Sequence, residues 1–294
     1  MITGFSIASP YFLSVRNFLN IGQRVSIYGI VAVGLSIVMI AGGIDLSIGS
    51  VIAATTVLVA TLIKGGTPIW IAALAGCAGG AVWGVMNGLI ITKARIAPIV
   101  CTLGTMSVIR GVAYLFSGGQ SVSIGGQAFA FLARGQIAGI PNLPIWWLIT
   151  CGLGLFILRY TLLGHYVYAI GGNAEACRVS SVHVDRWRFI TYVLSGLVSG
   201  FAGVLLLSVT GSGAPFEYLG AELDIITAVI LGGIGLSGGL GGIAGTMLGT
   251  LILGVLANGM VLASVPQYWN DAARGIVMVA AVTLDSLRRG GGYR

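Results

Sequence analysis

Charge is what this chain has least of. Only 8% of its 294 residues are Asp, Glu, Lys or Arg, while 56% are hydrophobic. A soluble domain of this length carries about a quarter charged residues, because most of its surface has to face water. Too few charges exist here to cover a globule, which excludes an ordinary soluble fold and leaves a bilayer as the solvent.

The shortage is also local. Residues 65–92, 189–209 and 225–270 contain no Asp, Glu, Lys, Arg or His, and the last of these stretches runs for 46 residues. About 20 apolar residues cross the hydrocarbon, so that stretch accommodates two spans and their connection.

Catalytic and metal-binding patterns are missing as well. Only two histidines occur, His165 and His183, without zinc-type spacing, and the four cysteines form no CxxC. Cys77, Cys101 and Cys151 fall in apolar runs and read as inert buried thiols. No GxxxxGK[ST] occurs, so the chain does not bind ATP through a P-loop. GGIGLSGGLGG at 232–242 lacks the lysine and joins two apolar runs instead of a strand and a helix. It reads as a close-packed or broken membrane helix. No cofactor is expected, and no His/Asp/Glu/Ser cluster points to a membrane-embedded enzyme.

What is abundant is glycine, 48 residues, in keeping with membrane helices that pack through small side chains. Nine spans are expected, near 25–44, 46–63, 69–91, 96–117, 143–159, 189–209, 223–240, 243–263 and 267–286. They make one transmembrane domain over 1–294, an all-α polytopic membrane protein. Residues 1–13 are apolar but too short to span. They read as an interfacial segment or as the end of a tenth helix whose start is missing.

The net charge of +7 fits basic residues that flank spans better than it fits nucleic acid. With the loop at about 160–188 in the cytoplasm, nine basic residues lie inside: Lys93, Arg95, Arg159, Arg178, Arg186, Arg188, Arg288, Arg289 and Arg294. Four lie outside: Arg16, Arg24, Lys64 and Arg134. The positive-inside rule then puts the C-terminus in the cytoplasm.

Charges inside spans are expensive and mark candidate pathway or helix-break positions. Asp45 interrupts an apolar run at a Gly-rich break. It either lines a translocation path or caps the helix that follows. Arg110 either snorkels to the surface or pairs with an acid such as Asp224 or Asp45. Asp271 and Arg274 stand i,i+3 and suit a pair within one helix. GGIDLS at 42–47 returns as GGIGLS at 232–237, a possible internal repeat of the kind that flanks substrate paths in transporters.

The polar loop is the most informative segment. Gly171, Gly172 and Asn173 form a turn, with Asn173 a suitable N-cap. Ala174 to Ser181 then reads as a short helix, with Glu175 in its first turn, where a carboxylate suits the dipole. A short helix lying along the membrane face can act as a lever between the spans and a soluble partner.

Six segments carry a resemblance to a known family: SPYFLSVRNFLNI (9–21), VGLSIVMIAGGIDLSIGSV (33–51), APIVCTLGTMSVIRGVAYL (97–115), LGHYVYAIGGNAEACRVSSV (163–182), ELDIITAVILGGIGLSGGLGGIAGTMLG (222–249) and VTLDSLRR (282–289). In this order, over nearly the whole chain, they resemble the permeases of ribose-type ABC sugar importers, a group that includes ribose, xylose and autoinducer-2 permeases.

The resemblance implies a second permease copy or a paralogue, a separate ABC ATPase subunit below and a periplasmic sugar-binding protein above, in a bacterial inner membrane. It implies that Gly171, Gly172, Asn173, Ala174, Glu175, Ala176 and Arg178 form a coupling helix against the ATPase. It also implies ten spans and a longer N-terminal lead. Where the family commonly has a Ser-Gly-[Ile/Val] turn, this chain has SSVHVD (180–185), so an altered docking turn is expected. Two other classes stay open: an ion-coupled secondary transporter, and a same-superfamily permease for a branched-chain amino acid or nucleoside.

Overall fold

The computed structural model describes residues 2–9, 11–125 and 127–288. Twelve helices follow one another among them: α1 (Ile2–Ala8), α2 (Val15–Ile40), α3 (Ile48–Lys64), α4 (Ile69–Lys93), α5 (Pro98–Ser117), α6 (Gln127–Arg134), α7 (Asn142–Tyr160), α8 (Leu162–Val179), α9 (Val184–Thr210), α10 (Ala221–Leu231), α11 (Ile243–Leu262) and α12 (Gln267–Arg288). Two short antiparallel pairings, Val122–Ser123 with Ser212–Gly213 and Gln136–Ile137 with Ile140–Pro141, pin the connections.

Among the described residues, six helices are long and apolar enough to cross a membrane: α2, α4, α5, α7, α9 and α11. The other three expected spans are modified. The α3 helix has 17 residues, and the apolar part of α12 runs only from Ala272 to Thr283. The run expected at 223–240 is helical only to Leu231. Eleven residues at about 1.5 Å each reach roughly half of a hydrocarbon core about 30 Å thick. Gly232 and Gly233 stop the helix there, with φ of +88° at Gly233.

The α2 helix starts ten residues earlier than its polar N-terminal half suggested. Ser14 caps it by accepting the Asn17 N–H, and Asn17 exchanges two 3.0 Å hydrogen bonds with Asn258 of α11. Amide pairs of this kind are a standard way to hold polar residues between membrane helices.

The centre of the protein is α2, whose Ile30, Leu35, Met39 and Ile40 are fully enclosed by α7, α9, α10 and α11. The α4 and α9 helices cross at closest approach. Gly76, Gly80, Gly84 and Gly88 recur every fourth residue along one face of α4, and a Cβ on Gly80 would collide with the Gly196 carbonyl of α9. The other faces of α4, α5 and α7 carry exposed Trp70, Leu74, Leu115, Phe116, Leu153 and Phe156. An apolar surface this extensive belongs in lipid or against another membrane chain.

The two Gly-rich hexapeptides mark the same kind of helix stop. Ala41, Gly42 and Gly43 donate back to Ile37, Met39 and Val38, as Gly232, Gly233 and Ile234 do to Ala228, Ile230 and Val229. The backbone match is one residue out of register with the sequence match. Gly65–Thr67 and Ala263–Val265 end their helices in the same way. The likeness therefore reflects a common helix ending.

Candidate functional site

Three glycine-rich segments meet. The last residue of α2, Ile40, accepts a 2.8 Å hydrogen bond from Gly239 N of the loop 232–242. Gly171 of α8 lies against both, so close that a Cβ there would overlap the Ile40 carbonyl and the Gly239 nitrogen. Tyr168, one turn earlier on α8, donates its hydroxyl to the Gly241 carbonyl at 2.8 Å. The base of α8 is thereby fastened to the first and the second helix break at once.

Just beyond this junction α8 kinks. Asn173 has φ −157° and ψ 95°, and its Oδ1 accepts the Ala176 N–H at 2.9 Å. The expected N-cap is present, but Gly171 and Gly172 are helical and the expected turn is a kink at Asn173 alone. The helix after it ends at Val179 instead of Ser181, and residues 162–172, expected as loop, are helical too. Stacking of Tyr166 on Trp187 and burial of Ile170, Cys177 and Val184 supply the apolar side that stabilises this arm.

The opposite side of the arm faces outward. Glu175 and Arg178 are 76% and 51% exposed, pair at 3.3 Å, and leave Arg178 Nη2 3.7 Å from Asp185. Exposed pairs of this sort contribute little to stability. Ser181 takes φ +63°, the left-handed region that favours glycine.

At the first break, Asp45 is buried at 1% exposure. Its Oδ1 accepts Ser47 N at 3.0 Å and Ser47 Oγ at 2.6 Å, and its Oδ2 accepts Ser195 Oγ of α9 at 2.8 Å. Ser47 Oγ in turn accepts Asn87 Nδ2 of α4 at 2.8 Å. The N-cap position of α3 belongs to Ser47. Asp45 thus holds the capping residue instead of capping α3 itself, and it faces no open path. It ties the break to α4 and α9 through hydroxyls that sequence reasoning had not singled out.

Arg110 corrects both expectations for it. It neither snorkels nor pairs with Asp224 or Asp45. Its Nη1 donates to the carbonyls of Pro215 (2.7 Å) and Glu217 (2.8 Å), anchoring the loop 211–220 to α5. Backbone carbonyls carry no sequence signal as partners, so this contact could not be read from residue types.

Arg274 of α12 donates to Asp224 Oδ2 of α10 at 2.7 Å, an interhelical pair. The Asp271 side chain lies outside the described residues, as do Arg289 and Arg294 of the basic tail. In the loop 211–220, burial without a compensating partner pushes the Glu217 carboxyl up to about 7.

Interrupted apolar helices whose breaks meet beside a kinked, outward-facing arm define a polytopic helical membrane protein. The sequence profile of the family described as branched-chain amino acid transport system / permease component matches residues 17–282, and the chain belongs to that family. It is 36% identical to the ribose import permease protein RbsC of Escherichia coli (strain K12), over 98% of this chain and 91% of that one. It is 41% identical to RbsC of Bacillus subtilis (strain 168), over 95% and 88%. To the L-arabinose transport system permease protein AraH of Escherichia coli (strain K12) it is 38% identical, over 97% and 87%.

Proposed function

We propose that the chain is the membrane-spanning subunit of an ATP-driven importer and forms the pathway for a pentose or related monosaccharide by alternating access. The observation that carries this reading is identity of 36–41% to ribose and arabinose permeases over 95–98% of the chain. ATP hydrolysis falls to a separate ABC ATPase subunit. A periplasmic sugar-binding protein delivers the solute, and a second permease copy completes the path. The single domain sits in a bacterial inner membrane with its C-terminus and α8 in the cytoplasm. Nine helices occupy the bilayer, α10 completing its crossing through the loop 232–242.

In this reading residues 171–178 dock on the ATPase. Support comes from the exposed Glu175 and Arg178 and from the fastening of Gly171 to both helix breaks. A rigid arm joined to two breaks is what a moving ATPase needs to switch the open face. Asp45, the residue singled out for an ion-coupled mechanism, is enclosed and hydrogen-bonded. The description of the matched family favours a second cargo reading, a branched-chain amino acid.

Co-purification of the chain with its candidate ATPase tests the arrangement. Wild type is expected to retain the ATPase and Glu175→Arg to release it. Wild type that binds no ATPase yet accumulates solute on an ion gradient establishes a secondary transporter. Uptake of leucine in place of ribose or arabinose by the assembled complex establishes the amino-acid reading.

A further inference from the structure

A hollow of about 660 Å³ opens where α4 ends and α9 begins. Both helices are candidate membrane spans, so the hollow lies at the end of two spans, where hydrocarbon gives way to water. Four cations from four segments line it: Lys93 of α4, Arg95 of the connection to α5, Arg178 of α8 and Arg186 of α9. Asp185 is the carboxylate in its wall. Glu175 pairs with Arg178, and Arg188 lies within electrostatic reach of Arg178 and Asp185. With these included, five cations face two carboxylates.

Basic residues flank many membrane spans, and a flank alone requires no site. Two features set this one apart. Arg178 is shared between Glu175 at 3.3 Å and Asp185 at 3.7 Å, while Lys93, Arg95 and Arg186 form no ion pair among the described residues. The wall between the cations is apolar, built from Leu89, Val182 and Phe189. Leu89 is exposed, as is Val82 seven residues earlier on the same face of α4, so the hollow continues onto a surface that faces lipid. An acidic side chain of a soluble partner would meet the cations and leave that apolar side unused.

We propose that this hollow holds the phosphate headgroup of an anionic phospholipid. Basic pockets at the ends of membrane helices suit such headgroups. The guanidinium forks of Arg95 and Arg186 can donate in pairs to phosphate oxygens, and Lys93 adds a point charge. An acyl chain then leaves along Leu89 and Val82. The bound lipid would bridge α4 and α9 to the end of the α8 arm through Arg178. The inference goes beyond the importer reading and needs only a bilayer, so the identity of the transported solute does not affect it.

Native mass spectrometry of the detergent-solubilised permease, supplied with phosphatidylglycerol or phosphatidylcholine, tests the assignment. Wild type is expected to retain phosphatidylglycerol at least fivefold over phosphatidylcholine. Lys93→Gln with Arg95→Gln is expected to lower that retention about tenfold, the scale for removing two cations from a phosphate site. Arg159→Gln, which removes a cation at the end of α7 and outside the hollow, is expected to stay within about twofold of wild type.

Equal losses in the two variants would show a diffuse attraction of anionic lipid to basic span ends and overturn the site. Absence of any preference for phosphatidylglycerol in wild type overturns it as well. Displacement of the retained lipid by millimolar inorganic phosphate assigns the hollow to a soluble anion instead. Loss of the lipid on adding the candidate ATPase assigns the cations to that interface, and either result removes the lipid. Melting temperatures of both variants within a few degrees of wild type confirm that the fold is intact.

Discussion

Gly171 leaves no room for a side chain beside the carbonyl of Ile40, although the two lie on helices α8 and α2, far apart in the chain. Its neighbour Gly172 has open space where a Cβ would go. This difference gives an internally controlled experiment. Gly171→Ala is expected to force the α8 base away from the first break, lowering the melting temperature and uncoupling ATP hydrolysis from uptake. Gly172→Ala is expected to be tolerated, within about 1 kcal/mol of wild type. Equal behaviour of the two variants in a melting and uptake comparison removes Gly171 from the transmission route.

The turn after the kinked arm is strained at Ser181, with φ +63°. A non-glycine residue there costs roughly 1–2 kcal/mol of backbone energy, part of which a glycine returns as chain entropy in the unfolded state. Ser181→Gly is therefore expected to stabilise the protein by about 0.5–1 kcal/mol, read as a rise in melting temperature. Ser180→Gly, at an ordinary φ of −84°, is expected to give no such rise.

Asp45 and Ser195 supply a third case. Ser195→Ala removes one of three donors to the buried Asp45 side chain and is expected to destabilise by about 1–3 kcal/mol, the range for a buried polar group left short of a partner. The same substitution in an Asp45→Asn background is expected to cost a different amount, since the two residues share one hydrogen-bond network. Additive losses across that double-mutant cycle would show that the two residues act independently.

Glu217 makes stability depend on pH. Its carboxyl is raised from 4.5 to about 7 by burial, so the folded protein binds the proton more tightly than the unfolded chain. Below the unfolded value both states are protonated and the group costs nothing. Stability is expected to fall as pH rises through 4.5 to about 7 and to level off above that. Melting curves over this window should slope for wild type and lie flatter for Glu217→Gln. Parallel curves would show that Glu217 is solvated.

Much was legible without coordinates. The charge shortage alone dictated a bilayer, since burial of so much apolar surface has no aqueous solution. The stops at Gly42 and Gly233 and the Asn173 cap are local, set within four residues by backbone conformations that glycine or an Asn side chain allows. The helix expected to run through 223–240 stops at Leu231 for the same local reason. Hydropathy registers apolar side chains and not a Gly-Gly helix stop, so the eleven-residue α10 looked like part of a longer helix.

Sequence by itself thus determined the solvent and the family of this protein. Only the tertiary structure decided which polar groups meet. Asp45 finds Ser195 across 150 residues, Arg110 finds Pro215 across 105, and Arg274 finds Asp224 across 50. Residue types state that a charge inside a membrane needs a partner. The choice among hydroxyls, carbonyls and carboxylates follows from helix packing, and that packing is set by close approaches such as Gly171 on Ile40 and Gly80 on Gly196.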